Sequence, residues 1–278
     1  MTARHALVLG GGGIAGIAWH TGMLHGMAGA GLDVTDADFI VGTSAGATVT
    51  AQFASGVPLD VWFGRQVDPA LQNQELRPTG MSIGDLWEAM IRIHEEVPDP
   101  AERRRRIGAM ALATETVPES VRRAVVEGRL IDHHWPERHI ATVVVDTATG
   151  DRCVFDASSG VDLIDAVAAS SAVPGVWPPV TIGNHRYLDG GVYSLCNADL
   201  AAGHERVLVM VPMVDPALDD QLELVRTKGR VEVLSPDRDS LTAFGTEPLD
   251  PSIRAAVARA GFAQGQRSAA SLVQFWNA

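Results

Sequence analysis

Phe39-Ile40-Val41-Gly42-Thr43-Ser44-Ala45-Gly46-Ala47-Thr48-Val49 is the stretch on which the reading of this chain turns. Its first three residues, aromatic and β-branched, suit the end of a buried strand, and the small residues from Ala45 onward suit the start of a helix. Between them lies Gly42-Thr43-Ser44-Ala45-Gly46, a GxSxG pattern. A serine on a sharp strand-to-helix turn needs glycine on both flanks, because a Cβ at either one would collide with neighbouring backbone. At a helix N-terminus, free amides and the helix dipole favour a developing oxyanion and an activated Ser44. The competing reading is a small-residue turn whose serine only caps the helix.

Working outward, His5–Leu9 reads as a buried strand, followed by Gly10-Gly11-Gly12-Gly13-Ile14-Ala15-Gly16 and a helix over 14–28. Residues 11–16 fit GxGxxG, so a dinucleotide site has to be weighed. That site wants an acidic residue closing the second strand, whereas Asp33, Asp36 and Asp38 all precede 39–41. The other use of such a loop is a cluster of backbone N–H groups able to bind any anion, an oxyanion included. Downstream, 139–146 and 152–155 read as strands joined by the turn 147–151, and 162–170 has a helical period. Residues 180–188 form a hairpin about Gly183-Asn184, which leads into Tyr187-Leu188-Asp189-Gly190-Gly191. An aspartate at a strand end with two glycines behind it can aim at a neighbouring strand tip, although Asp-Gly-Gly alone reads as a turn. Strands over 206–211 and 230–234 and an amphipathic helix over 252–275 close the chain.

Strands separated by helices predict an α/β fold, a three-layer α/β/α sandwich around a largely parallel sheet. The stretch 58–128 lacks a convincing strand and carries prolines at 58, 69, 78, 98, 100 and 118. It is read as a helical insertion within one domain spanning 1–278. With 46% hydrophobic residues, a disordered chain is excluded. Lys+Arg 22 against Asp+Glu 34 gives a net charge of −12, which argues against nucleic-acid partners and against charge-driven docking on anionic lipid. Cys153 and Cys196 make no disulfide framework, and His133-His134 beside Asp132 lacks a third ligand, so no metal or other cofactor is expected. The apolar run before the glycines is too short for a signal peptide, and nothing approaches the roughly 20 apolar residues of a membrane span; a cytoplasmic protein is expected. Arg103–Arg106 reads as a solvated helix face, with a head-group role as the alternative. Trp62 and Trp87 read as core, or as the lining of an acyl pocket or lid.

Together the glycine loop, the GxSxG turn and Asp189-Gly190-Gly191, in that order, resemble the patatin-like phospholipase family. Residues 169–179, rich in alanine, serine and proline, are similar to the segment found before the family's aspartate. The resemblance implies a serine acyl hydrolase acting on phospholipid, lysophospholipid or neutral glyceride. It implies a Ser44–Asp189 dyad, with an oxyanion hole made by the amides of Gly11, Gly12 and Gly13. Gly16, Gly42, Gly46, Gly190 and Gly191 are the remaining motif positions. The expected partner is a lipid or ester substrate, with transient contact at a membrane or lipid-droplet surface; the oligomeric state is left open. One departure stands out: the family usually has a basic residue where this chain has Ala15, which weakens the case for charged head groups. The alternatives are an α/β-hydrolase with a Ser–Asp–His triad, for which only His204 follows Asp189, a dinucleotide-binding protein, and a catalytically silent lipid binder.

Overall fold

Period-2 alternation in the central strands decides the layers of the computed structural model, which describes residues 4–277. In β1 (His5–Leu9), β2 (Phe39–Thr43) and β7 (Arg206–Met210), the residues Leu7, Leu9, Ile40, Leu208 and Met210 point to one face. Ala6, Val8, Phe39, Val41, Val207 and Val209 point to the other. Both sets are buried, so helices must cover both sides of the sheet. The first face packs against α1 (Gly13–Gly29), α2 (Ala45–Ala54), α7 (Leu163–Ser170) and α10 (Arg254–Asn277). The second is covered more thinly, by α8 (Leu218–Arg226) and a short 3-10 turn at Ala198–Ala201. Helices α1 and α10 cross closely because Gly22 and Gly26 of one meet Ala258 and Phe262 of the other without intervening side chains. The expected three-layer α/β/α architecture is the one observed.

Strand order runs β5 (Val180–Ile182), β6 (His185–Asp189), β3 (Ile140–Asp146), β2, β1, β7, β8 (Arg230–Leu234), with β4 (Arg152–Phe155) also paired to β3. Strands β3, β2, β1, β7 and β8 are parallel, while β4 and β6 run antiparallel to β3. The register on β3 has a consequence for the site. Strand β4 pairs along Thr142–Val145, overlapping the partners of β2 at 142–143 and those of β6 at 144–145. A strand has only two hydrogen-bonding edges, so β4 takes one and β2 and β6 share the other. Thr43 lies beside Val143 and Asp189 beside Val144. The C-terminal tips of β2 and β6 therefore meet head-on.

Between α2 and β3 the described residues form four helices, α3 (Leu59–Val67), α4 (Ile83–Glu96), α5 (Pro100–Ala113) and α6 (Glu119–Arg129), and no strand. Ser82 and Asp99 cap α4 and α5 by accepting from the Asp85 and Glu102 amides. The arginine run on α5 is less solvated than its composition predicts. Arg103 and Arg104 donate to the Val97 and Gly150 carbonyls, Arg105 pairs with Glu102, and Arg106, the most exposed of the four, pairs with Glu96 and Glu102. Trp62 is core, whereas Trp87 on α4 is 45% exposed. Helices α8 and α9 (Arg238–Phe244) have no counterpart in the sequence reading. Among the described residues no helix is long and apolar enough to cross a membrane.

Candidate active site

Ser44 sits between β2 and α2 with φ 55° and ψ −111°, a left-handed backbone that a non-glycine residue adopts at a cost of about 1–3 kcal/mol. Its neighbours make the turn tight. A Cβ on Gly46 would lie 1.8 Å from the Leu9 carbonyl oxygen, and one on Gly42 would lie 2.6 Å from the Ala47 backbone. Both flanking glycines are thus required by close backbone approach, the property GxSxG predicts. The turn is pinned from the side by Ser170, which no sequence argument singled out. The Ser44 N–H donates to Ser170 Oγ at 2.9 Å, and Ser170 donates onward to the Val143 carbonyl at 2.7 Å.

Asp189 ends β6 and is 5% exposed. The tip-to-tip meeting of β2 and β6 brings its carboxyl to the Ser44 side chain, across 145 positions of sequence. Gly191 N–H donates to Asp189 Oδ1 at 2.8 Å, and Gly190 lies flat against the Val143 carbonyl where a Cβ would not fit. Burial lifts the Asp189 pKa from 3.8 to about 6, while hydrogen bonds from the Ser44 hydroxyl and the Gly191 amide pull it down. Desolvation dominates, so the carboxylate is more basic than one in water.

The glycine loop lies alongside. Gly12 and Gly13 border the same cavity as Ser44, and Gly16 packs α1 onto Ala45 at the start of α2. Of the three amides expected to hold an oxyanion, that of Gly11 is already committed, donating to the Leu195 carbonyl at 2.8 Å. The N–H groups of Gly12 and Gly13 have no acceptor among the described residues. Gly13 needs its glycine, because φ is 62° and a Cβ would strike Pro248 and Leu249. Below the loop, buried His20 contacts the Gly10 carbonyl through Nε2 at 2.9 Å. Burial lowers its pKa to about 4, so it is neutral at pH 7 and its Nε2–H is the donor. Ala15, at the position usually basic in the resembling family, is wholly buried in the core.

Ser44 and Asp189 open into a cavity of about 110 Å³ with almost wholly apolar walls, among them Leu86, Trp87 and Met90 of α4, with Val192, Leu195 and Leu249. A broader groove of about 590 Å³ shares Trp87, Met213 and Pro248 with it and carries the exposed Val214 and Leu241. The site thus brings together a serine on a strained turn, a buried carboxylate, two amides without acceptors among the described residues and an apolar cavity, a set of parts that acyl transfer can use. His204 is not among them. It stacks on Phe39 at 5.4 Å between centroids, at the opposite end of β2 from Ser44, about 16 Å away for five strand residues. Residue 44 also follows β2 where a dinucleotide site wants an acid. Among the described residues, no group of three or more His, Cys, Asp or Glu gathers as metal ligands.

A family model for patatin-like phospholipase matches residues 7–202, more than half of the chain. Among solved structures the chain is similar to VipD from Legionella pneumophila, at 13% identity and a TM-score of 0.48. That match covers 98% of this chain and 67% of the other. It is also similar to the type III effector protein ExoU, at 17% identity and a TM-score of 0.39, over 96% of this chain and 53% of that one. The chain thus spans about two thirds of the first and about half of the second. No curated protein matches the sequence.

Proposed function

The chain belongs to the patatin-like phospholipase family, a family of lipid ester hydrolases, and from that premise we propose that it cleaves carboxylic esters of lipids with a Ser44–Asp189 dyad. Ser44 Oγ attacks the ester carbonyl as Asp189 takes its proton. The Gly12 and Gly13 amides hold the oxyanion of the tetrahedral intermediate. Collapse expels the alcohol, which leaves with the proton from Asp189, and an acyl-Ser44 ester remains. Water, deprotonated by Asp189, attacks that ester, and collapse of the second tetrahedral intermediate releases the fatty acid as Asp189 returns the proton to Ser44 Oγ. One carboxylate serves both half-reactions, so no histidine is needed.

The observation that carries the reading is the buried Asp189 carboxyl against the Ser44 hydroxyl, with a pKa raised to about 6. A carboxylate is ordinarily a weak base for serine, and desolvation reduces that deficit. The strained Ser44 backbone supports the same role, since strain of this kind collects where a side chain must be aimed. The apolar cavity suits an acyl chain, and the exposed Trp87, Val214 and Leu241 around the adjoining groove suit transient contact with a lipid surface. The whole described chain acts as one catalytic domain in this reading, with α4 of the helical insertion forming one wall of the acyl site.

Labelling with a fluorophosphonate tests the reading, because only an activated serine reacts readily. The parent protein is expected to label at Ser44 and to turn over a nitrophenyl ester, and Ser44→Ala to do neither while melting cooperatively. Labelling that persists in Ser44→Ala, or that moves to another serine, refutes the assignment.

A further inference from the structure

Helix α6 brings a second set of charges to the wall behind Ser44. Arg122 and Arg129 lie seven residues apart and so share one face of α6. Both turn into the protein, where one carboxylate meets them. Arg129 clamps Glu75 in bidentate fashion, at 2.9 Å from Nε and 2.7 Å from Nη2. Arg122 is 4% exposed and comes no closer to Glu75 than 3.9 Å, too far for a hydrogen bond. Its Nε and Nη1 have no hydrogen-bond partner, and its guanidinium lies over the Trp177 ring at 4.0 Å. Behind them, buried Arg254 is satisfied by Gln66, Asn73 and the Arg65 carbonyl, none of which carries negative charge. Glu75 therefore offsets one of three buried guanidiniums.

Uncompensated buried charge is costly, and a guanidinium with idle donors is costlier still. Burial and the neighbouring Arg129 push the Arg122 pKa down to about 9, the sign of a cation short of anionic company. Arg122 and Arg129 border a recess of about 20 Å³ together with Ser44, Ala45, Trp177 and Leu249. That volume admits about one oxygen-sized group. In a protein of net charge −12, positive charge concentrated beside the nucleophile is a local inversion of the overall balance.

We propose that Arg122, backed by Arg129, forms an anion-binding site beside Ser44 that takes one charged oxygen, phosphate or carboxylate, of the bound lipid. The site deepens the acyl hydrolase reading and rests on it. It supplies from the helical insertion the positive charge that Ala15 does not bring to the glycine loop, and it restores esters with a charged group near the scissile bond as substrates. A guanidinium suits the task because it stays charged and presents several donors in one plane.

The test compares the parent with Arg122→Met and Arg122→Lys. Methionine removes a charge that makes no hydrogen bond to Glu75 and leaves the Arg129–Glu75 clamp in place, so the variant is expected to melt at or above the parent temperature. In the binding arm, inorganic phosphate or laurate should raise the melting temperature of the parent, less that of Arg122→Lys, and not that of Arg122→Met. In the kinetic arm, kcat/KM is measured on a lauroyl lysophospholipid and on monolauroylglycerol. The ratio of the first to the second should fall about ten- to a hundredfold in Arg122→Met, the scale of one lost charge-assisted hydrogen bond, and recover in part in Arg122→Lys. A changed ratio assigns the recess to the head-group phosphate, and a laurate response alone assigns it to the fatty-acid carboxylate. Equal responses of parent and Arg122→Met to both anions, with an unchanged ratio, overturn the site. The binding arm needs no turnover, and fluorophosphonate labelling of the same samples reports on Ser44. A failed anion site and a failed esterase reading are therefore told apart.

Discussion

Asp189→Asn separates catalysis from stability, because both follow from the same buried carboxyl. The folded-state pKa, about 6, lies above the ordinary 3.8, so folding favours the protonated form. The sign follows from linkage: the stability tied to this group is complete below about pH 4 and is lost as pH rises through about 6. One pKa unit corresponds to about 1.4 kcal/mol, which puts the burden of holding Asp189 ionised at pH 8 at about 3 kcal/mol. Roughly half of that develops between pH 5 and pH 8. Asparagine has the same shape and no titration, so its advantage over the parent should grow by about 1.5 kcal/mol across that window, or about 3 °C in Tm for a chain of this size. Turnover should move the opposite way, falling about a hundred- to ten-thousandfold for want of the general base. In the parent, kcat/KM on a neutral nitrophenyl ester should fall tenfold per pH unit below about pH 6. The assay is thermal melting of both proteins from pH 5 to pH 8, beside turnover on the same ester. A Tm difference that stays constant with pH would falsify the raised pKa. A folded variant of near-parental activity would remove Asp189 from the chemistry.

Gly46→Ala should destabilise the fold by at least 3 kcal/mol or prevent it, because the new methyl would lie 1.8 Å from the Leu9 carbonyl oxygen in the centre of the sheet. Chemical denaturation measures it, and a loss below about 1 kcal/mol would mean the elbow yields more easily than its packing implies. His204→Ala should keep nitrophenyl ester turnover within a few-fold of the parent, since that ring stacks on Phe39 at the far end of β2. A hundredfold loss, the scale of a missing base, would revive the triad.

The proposed Arg122 site bears on the substrate expectation drawn from the loop alone. With alanine at a position the family usually fills with a basic residue, neutral esters look favoured. Under the proposal the wall contributed by α6 alters that balance, because two arginines line a recess shared with the serine from a segment whose sequence has no motif to announce them. Arg103–Arg106 drew the eye instead, as a run of like charge. Its members prove to be tied mainly to backbone carbonyls and glutamates of the insertion and its neighbours.

The local geometry of the candidate site was legible in the sequence because it depends on local sterics. Gly42 and Gly46 leave a visible signature since nothing larger fits beside the Leu9 and Ala47 backbone, and β1 and β2 are legible as short apolar runs with abrupt ends. Order along the chain was enough to link the glycine loop, Ser44 and Asp189, and the alternation of strand and helix was enough for the three layers. Helices α8 and α9, of nine and seven residues, were not read from the sequence; helices this short form by packing rather than by propensity. What brings Asp189 to Ser44 is the sharing of one edge of β3 by β2 and β6, a matter of register between strands more than a hundred residues apart. The commitment of the Gly11 N–H depends on the Leu195 carbonyl, and the idle donors of Arg122 depend on Arg129 having claimed Glu75 first. Each is a competition for a partner distant in sequence, which only the folded chain resolves, because hydrogen bonds and ion pairs are allotted by position in space.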